Sequence, residues 1–433
     1  MDVIAGLEIK NKISCSPTGA PLAHFISKDG TKIPLTDDVL SRHVLYTGTT
    51  GSGKTTAINQ LLGQLIDGMK SNDTMIIFDT KGDFRRKFFR PGRDVIISND
   101  DGATAFWNIF CEALIDGPER AEENFLEIAS NLFGEKIRRS ASPFFPQAAK
   151  DVFYGLLMYL YNVNKDSTPE NLNNEELYYY IRDAHMDEVI SALGSYTNLR
   201  GIIDYIYSGD SEMSEQSQGV YSELRLIANE LFRRNFRKNG DFSVRDFVRK
   251  KSGKILFIEY DLSTGMILTP IYRCLFDLAI KEALSREATG TGGNCYFVID
   301  EFKLLPNLEH IDDGVNFGRS QGAKFIVAMQ NINQIIEAYG REKAFSILSA
   351  FGTSVTFKLT DRESIGFIQG KYGKNRKRYV IPSSSYTEKD KEDIGYGEAV
   401  EDWELLSLFP GEAIISVSAY SPYPFRFTFK EVI

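Results

Sequence analysis

Cysteine and histidine are scarce in this chain of 433 residues, which has four of each. Cys15, Cys111, Cys274 and Cys295 lie far apart and form no C-x-x-C pair. That excludes a zinc ribbon and a disulfide framework, and it points to a reducing cytoplasm. His24, His43, His185 and His310 fall at no metal-ligand spacing. Long hydrophobic runs are missing as well. The most apolar stretch, 155–163, is far shorter than the roughly 20 residues a membrane helix needs. The N-terminus has no charged segment followed by an apolar one. The polypeptide is therefore expected not to span a membrane, and to reach the inner face of the cell membrane only through partners. A basic excess is absent too: the formal net charge is -9. The chain as a whole is no nucleic-acid coat, and any DNA contact must come from local patches. There is no internal repeat and no long low-complexity segment.

What is present suits a large buried core, with 42% apolar and 25% charged residues. The length implies an α/β core with an insertion, or two domains. Strands 22–26 and 31–35 flank Asp29-Gly30, a hairpin signal. A strand at 43–47, a Gly-rich turn and a helix at 55–69 follow, then strands at 74–78 and 94–98. Between about 118 and 239 the periodicity is helical almost throughout, with helices at 119–133, 144–162, 175–183 and 215–234. Alternation resumes with a strand at 254–260, a helix at 269–285, and strands at 295–299, 324–328, 354–357, 413–417 and 425–429. The expected architecture is an α/β domain with a mostly parallel sheet covered on both faces. Its halves span 1–117 and 241–433, with an all-α domain, 118–240, inserted between them.

Residues 48–55, Gly-Thr-Thr-Gly-Ser-Gly-Lys-Thr, fit G-x-x-x-x-G-K-[ST] between a strand and a helix. Gly48, Gly51 and Gly53 let the backbone fold tightly, so that N–H groups of the run, including Thr49, Thr50, Ser52 and Thr56 around it, can face phosphate oxygens. The helix start adds its positive dipole end. Lys54 is expected to reach the β- and γ-phosphates of ATP, and Thr55 to ligate Mg2+. The apolar run ending Ile299-Asp300-Glu301 supplies the partner acids. Asp300 would hold Mg2+ through water, and Glu301 would activate the attacking water. Gln330, at the tip of the strand 325–329, either bonds the γ-phosphate or attacking water, or caps the next helix. Arg319 either enters a neighbour's site as an arginine finger, should subunits form a ring, or makes an ordinary salt bridge. The Asp79-Thr80-Lys81-Gly82-Asp83 turn either shapes the site or is purely structural.

These motifs, in this order, resemble the TraD/TraG-type coupling proteins of conjugation and type IV secretion, within the wider HerA/FtsK superfamily. The residues that carry the resemblance are 48–56, Asp79 to Asp83, Trp107-Asn108, Asp300-Glu301-Phe302, Gly318-Arg319 through Gly322, Gln330 and Tyr339-Gly340. The resemblance covers the chain from about residue 20 onward. It implies a RecA-like P-loop motor with an inserted all-α domain, ATP sites between subunits of a homo-hexamer, and DNA through the centre. Lys54, Thr55, Asp300 and Glu301 would then serve one subunit, with Gln330 as γ-phosphate sensor and Arg319 as finger. A relaxase or secretion-channel proteins would be partners. The family's usual N-terminal membrane anchor has no counterpart in the sequence.

Basic clusters occur at 136–139, 233–238, 249–251 and 371–378. The last is read as a Gly-containing loop flanked by Tyr372 and Tyr379, suited to phosphate contact with base stacking, or simply solvated. No groove-reading motif appears, so the DNA, expected to be single-stranded, would be bound without sequence preference. The reading is an ATP-driven DNA translocase. Two alternatives stand beside it: a HerA-like translocase paired with a nuclease, and an ATP-gated docking module for a relaxase or effector.

Overall fold

The computed structural model describes residues 2–207, 214–290, 292–381 and 391–431. Its strands in chain order are β1 (Asp2–Ala5), β2 (Pro21–Ile26), β3 (Lys32–Thr36), β4 (Val44–Thr47), β5 (Thr74–Asp79), β6 (Val95–Ile97), β7 (Ile255–Glu259), β8 (Cys295–Ile299), β9 (Ala323–Met329), β10 (Thr353–Thr356), β11 (Lys374–Ile381), β12 (Lys391–Glu398), β13 (Glu412–Val417) and β14 (Phe425–Thr428). Contacts divide the chain into two compact units. One comprises Met1–Ile77, Gly292–Pro306 and Ile311–Ile433, and the other Phe78–Thr291 and Asn307–His310.

The second unit is mainly helical. Long helices Ala121–Arg139, Phe144–Asn164, Glu215–Leu231 and Gly265–Ala283 bury apolar faces against one another. Its strands β6 and β7 pair in parallel. Trp107 and Asn108 form a joint at the entry to the helices. The buried Trp107 indole donates to Glu112 (3.0 Å), which also accepts from the backbone N–H groups of Val244 and Arg245. Asn108 caps the helix Ile109–Ala113 and donates to the carbonyls of Leu172 and Gly240.

In the first unit a sheet runs in the order β14, β13, β10, β4, β9, β8. β10, β4, β9 and β8 run parallel to one another, while β13 pairs antiparallel with β10 and with β14. β4, β8 and β9 are buried along their whole length. Continuous apolar runs are what a sheet covered on both faces requires. The helix Lys54–Asp67 packs beside β2 through two glutamines. Gln64 bonds the backbone of His24 in both directions, and Gln60 does the same for Ile26. Two smaller antiparallel sheets, β2–β3 and β1–β11–β12, complete the unit. The basic run near 371–378 is not a loop: the helix Arg362–Tyr372 ends at Gly373 and β11 begins at once. The side chain of Tyr379 lies outside the described residues.

His43 stands at the start of β4 with a positive φ of 61°. Its Nδ1 accepts from the Phe325 N–H (3.1 Å), so the proton of the neutral ring sits on Nε2, which donates to the Val315 carbonyl (3.0 Å). Burial holds its pKa down at about 4. The unfolded chain binds this proton below about 6.5, whereas the folded chain does not until about 4. Stability from His43 is therefore full above the unfolded value and is lost as pH falls through that window, by about 3 kcal/mol in all. An NMR titration of the imidazole is expected to inflect near 4, with urea midpoints falling from pH 7 to 4.5. An inflection near 6.5 would contradict the buried neutral ring.

Candidate nucleotide site

The loop after β4 is shaped by glycine. Gly48, Gly51 and Gly53 have φ of 152°, 75° and 112°. A Cβ on Gly48 would lie 2.6 Å from Phe357 Cβ and 2.9 Å from Ser52 Oγ, and one on Gly53 would lie 2.9 Å from the Gly411 nitrogen. One at Gly51 would meet nothing within 4 Å. The loop is laced to its surroundings by main-chain bonds: Thr49 N–H to Lys358 O, and Gly411 N–H to Ser52 O, both 2.9 Å. No side chain caps the helix Lys54–Asp67, whose N-cap is Gly53. Its first turn, with the half-buried Thr55 and Thr56, presents the positive end of the helix to this loop. The Lys54 ammonium folds over the loop and donates to the carbonyls of Gly48 and Thr49.

Strand register brings the other residues to the same end. Thr47 pairs with Met329 and Ile299 with Val327. Gln330 therefore follows β9 beside Gly48, and Asp300 and Glu301 follow β8 one strand further along. Gln330 Nε2 donates to Glu301 Oε2 at 2.6 Å. It does not cap the following helix, Asn333–Tyr339, whose N-cap is Ile332. The second carboxylate oxygen, Glu301 Oε1, is buried and has no hydrogen-bond partner among the described residues.

This arrangement fits a Mg2+-nucleotide. Lys54 has a charge to give, the helix terminus has donors, and Glu301 has an acceptor oxygen without a partner among the described residues. No cluster of three His, Cys, Asp or Glu able to hold a metal occurs among the described residues. A magnesium site made of one hydroxyl, one carboxylate and phosphate oxygens needs none.

Arg319 is elsewhere. It lies in the turn Gly318–Gln321 that leads into β9, at the opposite end of that strand from Gln330. The strand alone spans about 23 Å. Arg319 is 55% exposed and pairs with Asp38 at 2.6 Å. Asp79, in the helical unit, accepts from the Arg85 and Lys81 N–H groups (2.8 and 3.4 Å), as a turn-closing carboxylate does. Sequence reasoning missed Phe357, Lys358 and Gly411, which wall the loop. Each is remote in sequence, and Gly411 in Pro-Gly-Glu is the only local hint. Three basic clusters carry acid partners within the helical unit. Arg138 and Arg139 pair with Glu135, Arg234 with Asp100, and Arg249 with Asp116 and Glu282.

Residues 29–401 match the family model of the type IV secretion-system coupling protein DNA-binding domain. The chain is 21% identical to coupling protein TraD of Escherichia coli (strain K12) over 426 residues, 93% of this chain and 55% of TraD. It is 26% identical to protein VirD4 of Rhizobium radiobacter over 193 residues, 43% of this chain and 27% of VirD4. It thus spans at most about half the length of these curated relatives. Among solved structures, plasmid coupling protein TrwB in complex with ADP and Mg2+ aligns with a TM-score of 0.76 at 20% identity, over 100% of this chain and 95% of that one. VirB4 of Thermoanaerobacter pseudethanolicus aligns with a TM-score of 0.56 at 14% identity, over 97% and 98%. These likenesses establish the fold, an α/β RecA-like P-loop architecture with additional helices. No helix among the described residues is long and apolar enough to cross a membrane.

The glycine geometry separates two substitutions. Gly48→Ala forces a backbone shift against Phe357 and is expected to cost about 2 kcal/mol or more and to abolish nucleotide binding. Gly51→Ala meets no neighbour and carries only left-handed strain, about 1 kcal/mol. Chemical denaturation with a nucleotide titration checks both, and equal costs would refute the packing argument.

Proposed function

The chain belongs to the type IV secretion-system coupling protein DNA-binding domain family, and from that premise we propose that it hydrolyses ATP to translocate DNA through a homo-hexameric ring. The observation that carries the hydrolytic reading is the Gln330–Glu301 bond at the mouth of the phosphate loop. Lys54 would leave the Gly48 and Thr49 carbonyls for β- and γ-phosphate oxygens. Thr55 and Asp300 would hold Mg2+, whose charge when bound offsets that of the triphosphate. Glu301, with one oxygen fixed by Gln330, uses the other to orient and deprotonate the attacking water. Gln330 bonds Glu301 and follows β9, the strand paired with the one that carries the phosphate loop. It would thus couple the presence of a γ-phosphate to the position of the base. That TrwB is found with ADP and Mg2+ supports the same occupants here.

The place of Arg319 favours action in trans. It sits at the wrong end of β9 for its own site and faces solvent beside Phe317, which is 68% exposed. Near the phosphate loop, Phe409 is 71% exposed, two residues before Gly411. Two different exposed patches on one unit suit a head-to-tail contact that closes a ring. We take residues 1–117 and 241–433 as halves of the motor and 118–240 as its inserted helical domain. DNA would be single-stranded and bound without sequence preference. A relaxase or channel proteins would hold the motor at the inner face of the cell membrane.

Hydrolysis should rise with single-stranded DNA and cooperatively with protein concentration. Glu301→Gln is expected to keep nucleotide binding and lose at least about 100-fold in turnover. Arg319→Ala should lose about 1,000-fold. Mixing Arg319→Ala with Lys54→Ala protomers should restore part of the activity, because a site of the first that adjoins the second meets an intact finger. Hydrolysis indifferent to DNA in assembled protein would sink the translocase reading. Failure of the mixture to recover would leave Arg319 as a surface ion pair.

A further inference from the structure

Three of the basic clusters have acid partners, and the fourth is built differently. Along β11 successive side chains alternate between faces. Asn375 and Lys377 point inward, where Lys377 is buried and donates to the Glu398 carbonyl (3.0 Å) and to Glu401. Lys374 and Arg376 point outward and are exposed. Across the sheet, Arg376 faces Tyr396 on β12 and Ala5 on β1. The Arg376 guanidinium lies 6.0 Å from the centroid of the Tyr396 ring, and Tyr396 is 77% exposed. No carboxylate pairs with Arg376 among the described residues, whereas Lys374 is only 3.9 Å from Glu398. The small Ala5 leaves the approach to Arg376 open.

An unburied tyrosine costs free energy in water, and a cation held over its ring keeps the ring oriented. The result is a flat strand face with one aromatic surface and a positive charge beside it. A nucleobase can stack on such a ring only when it is free of its own neighbours, which selects a single strand over a duplex. Every base has a π-face, so the contact is indifferent to sequence.

We propose that the outer face of the β1–β11–β12 sheet, centred on Arg376 and Tyr396, grips single-stranded DNA by stacking a base on Tyr396 and pairing Arg376 with the adjoining phosphate. This rests on the DNA reading above and assigns it a surface. The test is fluorescence anisotropy of a labelled oligo-dT strand and of a matched duplex, with the full chain at several salt concentrations. Tyr396→Leu is expected to weaken single-strand binding about ten-fold or more, whereas Tyr396→Phe, which keeps the ring, stays within about three-fold. Arg376→Ala should lower the salt slope by about 0.7, the share of one single-strand phosphate. Arg139→Ala, a charge already paired with Glu135, should leave binding as it is. Both proposed residues are exposed, so melting temperatures should match the wild type. Unchanged affinity in Tyr396→Leu and Arg376→Ala would overturn the proposal while the parent reading stands. So would a loss explained wholly by a lower oligomeric state in sedimentation. A wild-type chain that binds no DNA would overturn the parent reading, and this one with it.

Discussion

Parallel pairing of β4, β9 and β8 sets where every group proposed to react at the nucleotide site can be. Parallel neighbours end on the same side, so the phosphate loop, Gln330 and Glu301 emerge together though they are far apart in sequence. A register shift of one residue between β8 and β9 would exchange Asp300 and Glu301 and break the bond to Gln330. His43 guards that register from the other end. It is hydrogen-bonded to Phe325 near the start of β9 and to Val315, and its own strand carries the loop. Gln60 and Gln64 do the same for the helix, tying the two turns after the loop to the backbone of β2. The loop is therefore held at both ends by groups that take no part in the chemistry.

Legibility in the sequence followed how local each signal was. The phosphate loop is one contiguous motif with strict spacing, and Asp300-Glu301 ends an unbroken apolar run, so both could be read directly. Strands β8 and β9 are readable because they are largely apolar on both faces, and the hairpin of β2 and β3 because Asp29-Gly30 marks its turn. β11 is not. Its inward positions, Asn375 and Lys377, are as polar as its outward ones, so no alternation of hydrophobicity betrays the strand. Lys377 can be buried only because Glu401 and a carbonyl of β12 satisfy it. Those partners are more than twenty residues away. Phe357 and Gly411, which wall the loop, escaped for the same reason: nothing near them in sequence speaks of phosphate.

Net charge also misleads when it is read as a sum. A chain at -9 looks unsuited to DNA, and its basic clusters look like the exception. Most of those clusters turn out to be balanced by acids in the folded chain. Arg249 shares Asp116 and Glu282 with Arg245, which makes that stretch a strut between helices rather than a surface for phosphates. What distinguishes Arg376 is the company it keeps: an exposed ring instead of a carboxylate.

The residues that carry the family resemblance divide into two physical kinds. Lys54, at the start of its helix, and Asp300 and Glu301, after β8, carry a charge, and Gln330, after β9, holds Glu301. Trp107 and Asn108 are buried with every side-chain polar atom engaged by the chain itself, and Asp79 closes its own turn. Asn108 bridges segments around residues 110, 172 and 240, so its loss would leave two carbonyls and two N–H groups without partners. Burial with complete hydrogen bonding marks a residue that holds the fold. Burial with an oxygen left without a partner among the described residues, as at Glu301, is compatible with the proposed hydrolytic role.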